Sequence, residues 1–192
     1  MSRSAGARRI PRLEGTHIMR FGWRARLSTL IVAVALAGAS EARGQDAPPI
    51  AVEATAGWAG FVDDATKHHA VYGGGARVPL TPRISVGPEV AYMVGPDGDR
   101  DLFVLGSLWF DLLSPDGAPP VTPYVVVGGG YMAHRDATGR GRYAWSHEGA
   151  FTAGGGARVR IGDRVYVGGD VRIGWELHLR TTAHVGVTWP RR

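Results

Sequence analysis

The stretch LHLRTTAHVGVTW, residues 177–189, alternates by twos along its whole length. Leu177, Leu179, Thr181, Ala183, Val185, Val187 and Trp189 share one face, and His178, Arg180, Thr182, His184, Gly186 and Thr188 share the other. Side chains that repeat every second residue stand on opposite sides of a β-strand, whereas a helix returns its apolar residues every three or four. The stretch therefore predicts a strand with one apolar and one polar face. RISVGPEVAYMV (83–94) repeats the pattern, with Ile84, Val86, Val90, Tyr92 and Val94 set against Arg83, Ser85, Gly87, Glu89 and Ala91. In RVYVGGDVRIGW (164–175), Val165, Val167, Val171, Ile173 and Trp175 oppose Tyr166, Asp170 and Arg172.

Beyond residue 44 no segment shows helical periodicity, and Gly or Pro interrupts the chain about every ten residues. Eight segments read as strands: 50–61, 69–79, 83–95, 101–113, 121–134, 147–161, 164–175 and 177–189. Tight or Pro-rich turns fall at 79–83, 114–120 and 161–164. Longer polar connections fall at 62–70, 95–101 and 134–147, with a short one at 176–178. Short turns at one end and longer loops at the other describe an up-and-down barrel. An even number of strands of about 9–11 residues suits one that crosses a bilayer. The predicted fold is all-β, an eight-stranded antiparallel up-and-down transmembrane β-barrel.

The chain also repeats itself. GGGARVPLTPRISVGPEVAY (73–92) returns as GGGARVRIGDRVYVGGDVRI (154–173), 81 residues later, with ten of twenty positions identical. Each copy reads as strand, turn, strand, and the copies fall at the second and third strands and at the sixth and seventh. A four-strand half written twice would give this spacing, and so would convergence on Gly- and Val-rich barrel sequence. Two copies do not make a solenoid, which needs at least three units.

The 192 residues suffice for one domain, and the absence of cysteine excludes a disulfide framework or a thiolate metal site. The net charge of +5 is unevenly spread. Residues 1–44 hold eight Arg and two acids, while residues 45–192 hold 14 basic and 15 acidic side chains. The body thus has no general basic face for nucleic acid. Within the basic leader, MRFGWRAR is a positive n-region, and LSTLIVAVALAGA is an apolar core of thirteen residues, too short to span a bilayer. A small-x-small site at Ala42-Arg43-Gly44 places cleavage before Gln45, with cleavage after Ala39 or Ala42 as alternatives. Residues 1–18 precede Met19 with no readable pattern and stand as an upstream start or an extension. The expected organisation is an unassigned segment at 1–18, a signal peptide at 19–44 and a linker at 45–49. The barrel follows at 50–189, with a tail at 190–192. The protein is expected to be exported.

If the apolar face looks outward to lipid, the other face fills a narrow lumen. That face holds Glu53, Glu89 and Asp170 with Arg77, Arg158, Arg172 and Arg180. Seven charges would cost too much in the apolar core of a soluble barrel, whereas in a polar interior they can pair and hydrate. Gly73, Gly75 and Gly87 on the same face leave volume for those long side chains. Trp58, Tyr92, Trp109, Tyr124, Trp175 and Trp189 lie near strand ends or flanks, where an interfacial girdle would sit.

With these residues in view, the chain resembles the opacity-protein-like family of outer-membrane β-barrel domains, small eight-stranded barrels of Gram-negative envelopes. The resemblance is carried by the signal peptide, the eight alternating strands, the Gly-rich YVVVGGGYMA (124–133) and TAGGGARV (152–159), and the terminal TTAHVGVTW (181–189). It covers about residues 50–189. It implies an outer-membrane location, contact with outer-membrane lipid and insertion by the barrel-assembly machinery. Family members usually end on an aromatic residue that this machinery reads; here three residues follow Trp189, in TWPRR.

Residues with chemistry to offer are few. WSHE presents Ser146, His147 and Glu148, but neighbours on a strand point to opposite faces and do not converge as nucleophile, base and orienter. His68 and His69, near Asp63 and Asp64, diverge in the same way. Asp97, Asp99 and Asp101 alternate as ligands of a hard cation would, without the later Glu of a calcium loop, and read as a solvated loop. No catalytic residue, metal site or cofactor is assigned, and the protein is expected not to be an enzyme. HRDATGRGR brings Arg135, Arg140 and Arg142 beside Tyr143 and Trp145, a surface suited to anionic lipopolysaccharide or an extracellular ligand. The expected role is structural or surface-interacting, with a charge-plugged lumen. Two alternatives are a soluble lipocalin-like barrel binding a small apolar ligand and a lipid-modifying outer-membrane enzyme. The inner-face charge argues against the first, and the missing triad against the second.

Overall fold

A computed structural model describes residues 49–62, 67–113, 120–137 and 143–189. The expected signal peptide, the segment before it, most of the linker and the tail lie outside the described residues. Eight strands follow in order: β1 (Ile50–Phe61), β2 (Lys67–Pro79), β3 (Ile84–Val94), β4 (Arg100–Asp111), β5 (Val121–Ala137), β6 (Tyr143–Arg160), β7 (Val165–Gly174) and β8 (His178–Trp189). Each pairs antiparallel with the next, and β8 returns to β1, where Ile50 stands opposite Trp189. Closure removes every sheet edge, the condition for placing strands in hydrocarbon, where unpaired backbone groups cannot be solvated. A single 3-10 turn, Pro96–Gly98, is the only helical element among the described residues.

The faces sort as the alternation predicts. Val90, Val104, Val127, Ile173 and Val185 look outward and are exposed, while their strand neighbours Glu89, Phe103, Val126, Arg172 and His184 are buried in the lumen. The repeated stretch forms the β2–β3 and β6–β7 hairpins, and the two turns match bond for bond. Leu80 N and Thr81 N donate to Ile84 O (2.8 and 3.1 Å), as Ile161 N and Gly162 N donate to Val165 O (2.9 and 3.3 Å). These turns, with both strand termini, mark one end of the barrel, the floor; the opposite end is the rim.

Three sequence expectations need correction. First, the loops at the rim are short. β5 and β6 continue their ladder through residues read as a loop, with His134 opposite Ser146 and Ala137 opposite Tyr143, so that only 138–142 separate the strands. The longest connection, 112–120, lies at the floor. Ladder hydrogen bonds form regardless of side-chain polarity, so a hairpin can run on where hydropathy no longer marks it. Second, Trp109 and Tyr124 are not girdle residues: both are 2% exposed and point inward. Trp58, Tyr92 and Trp175 do face outward near the rim, as Trp189 does near the floor. Third, the lumen is not polar throughout. Phe61, Val71, Met93, Phe103, Leu105 and Met132 pack into an apolar layer towards the rim.

Candidate functional site

The middle of the lumen is built around one guanidinium. β3 and β7 stand four strands apart in the ring, so Glu89 and Asp170 approach from opposite walls. Arg172 spans them, donating from Nη1 to Glu89 Oε2 and from Nη2 to Asp170 Oδ2, each at 2.7 Å. Arg180 Nη2 donates to Glu89 Oε1 (2.7 Å), and Ser107 Oγ to Oε2 (3.0 Å). Asp170 also accepts from Thr182 Oγ1 (2.8 Å) and Tyr124 OH (3.1 Å). The four charged side chains are each at most 8% exposed. Two carboxylates and two guanidiniums cancel, and every carboxylate oxygen is hydrogen-bonded, the arrangement that lets buried ions persist.

A second layer lies towards the floor. Arg77 Nη2 approaches Glu53 Oε1 to 2.9 Å, and Tyr166 OH donates to the same oxygen at 2.5 Å. Arg158 pairs with Asp111. The guanidinium carbon of Arg77 lies 4.4 Å from the Trp109 ring centroid and 5.1 Å from that of Tyr124, while Arg158 lies 5.3 Å from Tyr124. The two inward aromatics are thus cation–π partners. Gly186 makes this packing feasible, because a Cβ there would sit 2.1 Å from Tyr166 Cζ. Below the layer a cavity of about 370 Å³ opens at the floor, with Arg77, Asp111, Arg158 and Arg160 among its walls.

Glu53, Arg77, Glu89, Arg158, Asp170, Arg172 and Arg180 all turn towards the interior and pair there. Arg77 and Arg158 are equivalent in the repeat, as are Glu89 and Asp170. What the sequence reading missed is Asp111, which supplies a fourth carboxylate for the four guanidiniums. It shares its face with Ser107 and Trp109, and that parity was the available signal; its place at a strand end, beside a Pro-rich turn, concealed it.

The remaining candidates scatter. Glu148 accepts from Trp175 Nε1 (2.7 Å), His147 bonds Tyr131 OH, and Ser146 is exposed on the rim extension, so no triad assembles among them. Arg135 donates to Gly98 O (3.0 Å from Nη2) and lies 5.7 Å from the Trp145 ring, so it is tied into the rim. Arg140, Arg142 and the side chain of Tyr143 lie outside the described residues, as do Asp63 and Asp64. His68 and His69 diverge as expected, His68 outward beside Trp58 and His69 inward. The reading of 97–101 as a solvated loop is corrected: Asp99 is 6% and Asp101 1% exposed, because the turn folds them over the lumen beside His69.

No family model matches the chain, and no curated protein matches it in sequence. Likeness appears in three dimensions. The N-terminal β-barrel domain of Pseudomonas aeruginosa OprF superposes with a TM-score of 0.59 at 12% identity, covering 74% of this chain and 98% of that domain. Neisserial surface protein A superposes with a TM-score of 0.61 at 11% identity, covering 77% of this chain and all of its own. The fold is that of the small outer-membrane β-barrels. At such identities the likeness concerns architecture alone.

Proposed function

We propose that the chain is an exported barrel, inserted in the outer membrane by the barrel-assembly machinery, with a structural and surface-contact role and a lumen that does not conduct. The observation that carries this reading is the inversion of the barrel: Val, Ile and aromatic side chains cover its outside while buried ion pairs occupy the middle of its inside. Hydrocarbon is the solvent that suits such an exterior. A lipocalin-like protein would instead keep an open apolar cavity, whereas the Arg172–Glu89 bond across the lumen and the apolar cluster that includes Phe61, Phe103 and Met132 support a filled interior. Eight strands leave an interior that side chains can fill.

The rim is the favoured extracellular end. β5 and β6, at 17 and 18 residues, exceed the span of a hydrocarbon core and project beyond it by roughly 15–20 Å. That projection carries Tyr131 stacked on His147 at 5.8 Å, and Arg135 beside Trp145. Aromatic and cationic groups so placed suit lipopolysaccharide headgroups or an extracellular ligand. Absence of a convergent nucleophile and base at Ser146–Glu148 supports a non-enzymatic role. The test is membrane fractionation with unboiled electrophoresis, followed by planar-bilayer recording. The expected result is a compact outer-membrane species without large steady conductance. A water-soluble species would refute the location, and stable open channels would refute the closed lumen.

A further inference from the structure

Above the apolar layer, four side chains from three separate stretches of the sequence meet inside the rim. His69 comes from β2, Asp99 from the 95–99 connection, Asp101 from β4 and His134 from β5. His69 Nε2 lies 3.4 Å from Asp99 Oδ2 and 3.5 Å from Asp101 Oδ2. One ligand atom from each of these three residues falls within 4.8 Å of the others. His134 Nδ1 hydrogen-bonds the other oxygen of Asp101, Oδ1, and stands 3.8 Å from Asp99 Oδ1.

Three physical features set this cluster apart from a chance gathering. His69 is 2% exposed, yet neither ring nitrogen has a hydrogen-bond partner, and neither has Asp99 Oδ1 or Asp101 Oδ2. A buried polar atom left without a partner is costly, and an ion held here would engage two of the four, His69 Nε2 and Asp101 Oδ2. The two distances from His69 Nε2 are too long for hydrogen bonds and close to the edge, about 3.4 Å, of a tetrahedron whose corners lie about 2.1 Å from a central ion, the usual length of zinc bonds to imidazole and carboxylate. Room exists beside the ring nitrogen because residue 95 is glycine: a Cβ there would stand 2.3 Å from His69 Nε2.

Charge points the same way. Two carboxylates face each other in a nearly dry setting, where Phe61 packs edge-on against His69 at 4.8 Å. Lys67 Nζ, 3.7 Å from Asp99 Oδ2, brings a single positive charge, while Arg100 and Arg135 donate to the carbonyls of Gly95, Asp99 and Gly98. Those carbonyl bonds hold the turn that presents Asp99. A divalent cation would neutralise both carboxylates and use the idle imidazole at once.

We propose that the rim cluster is a binding site for a divalent transition metal, zinc above all. His69 Nε2, Asp99 Oδ2 and Asp101 Oδ2 are its ligands, and His134 orients Asp101 through Oδ1. A carboxylate held by an imidazole on one oxygen presents the other to the ion, the usual support for a metal-bound carboxylate. One nitrogen and two oxygens, with no sulfur, suit zinc better than calcium, which takes six to eight oxygens. The fourth position is left to water. Bound there, the ion ties β2, β4 and the turn between β3 and β4 across the mouth of the barrel.

The test uses the full chain, purified from membranes in detergent, stripped with a chelator and titrated with zinc chloride by calorimetry. Bound metal is counted by mass spectrometry. One zinc per chain is expected, with magnesium and calcium at least 100-fold weaker. His69→Gln and Asp99→Asn should each weaken zinc binding at least tenfold, and His134→Ala tenfold to a hundredfold. His68→Gln and His147→Gln, which alter histidines outside the cluster, should leave it unchanged. Folding of each variant is checked by its compact unboiled migration. Asp99→Asn lies in a connection and keeps the test decisive if His69→Gln does not fold. No saturable zinc binding by the folded wild type would overturn the proposal. So would binding that survives Asp99→Asn, or binding lost with His68 or His147.

Discussion

Replacing Arg172 with alanine should destabilise the barrel more than the same change at Arg180, although both side chains pair with Glu89. Arg172→Ala removes two charge-assisted hydrogen bonds of 2.7 Å. Glu89 then keeps Arg180 and Ser107, but Asp170 keeps only the hydroxyls of Thr182 and Tyr124. Stranding one member of a buried ion pair costs about 3–5 kcal/mol. The two hydroxyl donors soften the loss at Asp170, so about 3 kcal/mol is expected. Arg180→Ala removes one such bond and leaves Glu89 paired with Arg172, which should cost about 1.5–2 kcal/mol. Adding Asp170→Asn to Arg172→Ala takes away the stranded charge and should recover about 1–2 kcal/mol. The assay is equilibrium unfolding in urea of the detergent-folded barrel, read by tryptophan fluorescence and by the fraction of compact unboiled species. If Arg172→Ala costs no more than Arg180→Ala, or under about 1 kcal/mol, the lumen is wet enough to screen its charges and the reasoning fails.

Other substitutions probe other surfaces. Val90→Arg and Val185→Arg put charge on the outward face, at about 2–4 kcal/mol near a bilayer midplane. Both should block assembly in cells, whereas Arg172→Ala should be delivered normally; normal assembly of the valine variants would show that the outward face does not meet lipid. Gly186→Ala should cost about 1–3 kcal/mol in the same unfolding assay, because its Cβ would collide with Tyr166 and displace that ring from Glu53. Leu177 sits at φ 36° in the β7–β8 turn, a left-handed conformation that leucine adopts at a cost. Leu177→Gly should therefore stabilise the barrel by up to about 1 kcal/mol, and a destabilisation would mean that the exposed leucine makes contacts worth more than the strain.

Alternation at 177–189, 83–94 and 164–175 marks strands with two unlike faces, and Gly/Pro punctuation with the other apolar segments brings their number to eight; the charges on one face, and not the alternation, argue that it turns inward. Side-chain period is a local property, written within each strand and independent of its partners. The same parity placed Glu53, Arg77, Glu89, Arg158, Asp170, Arg172 and Arg180 on one surface before any pairing was known. It could not say which of them meet. Arg172 reaches Glu89 across 83 residues of chain, and Tyr166 reaches Glu53 across 113, so these bonds exist only because the barrel closes. Closure also decided which guanidiniums meet Trp109 and Tyr124, and that Asp111 completes the charge balance by pairing with Arg158. The rim cluster shows the limit most plainly. His69 looked like half of a diverging pair, and Asp99 and Asp101 like a solvated loop. Each reading was sound for its own segment, but shear and strand order carry β2, β4 and β5 to one mouth, and only that three-dimensional convergence takes the water from their polar atoms.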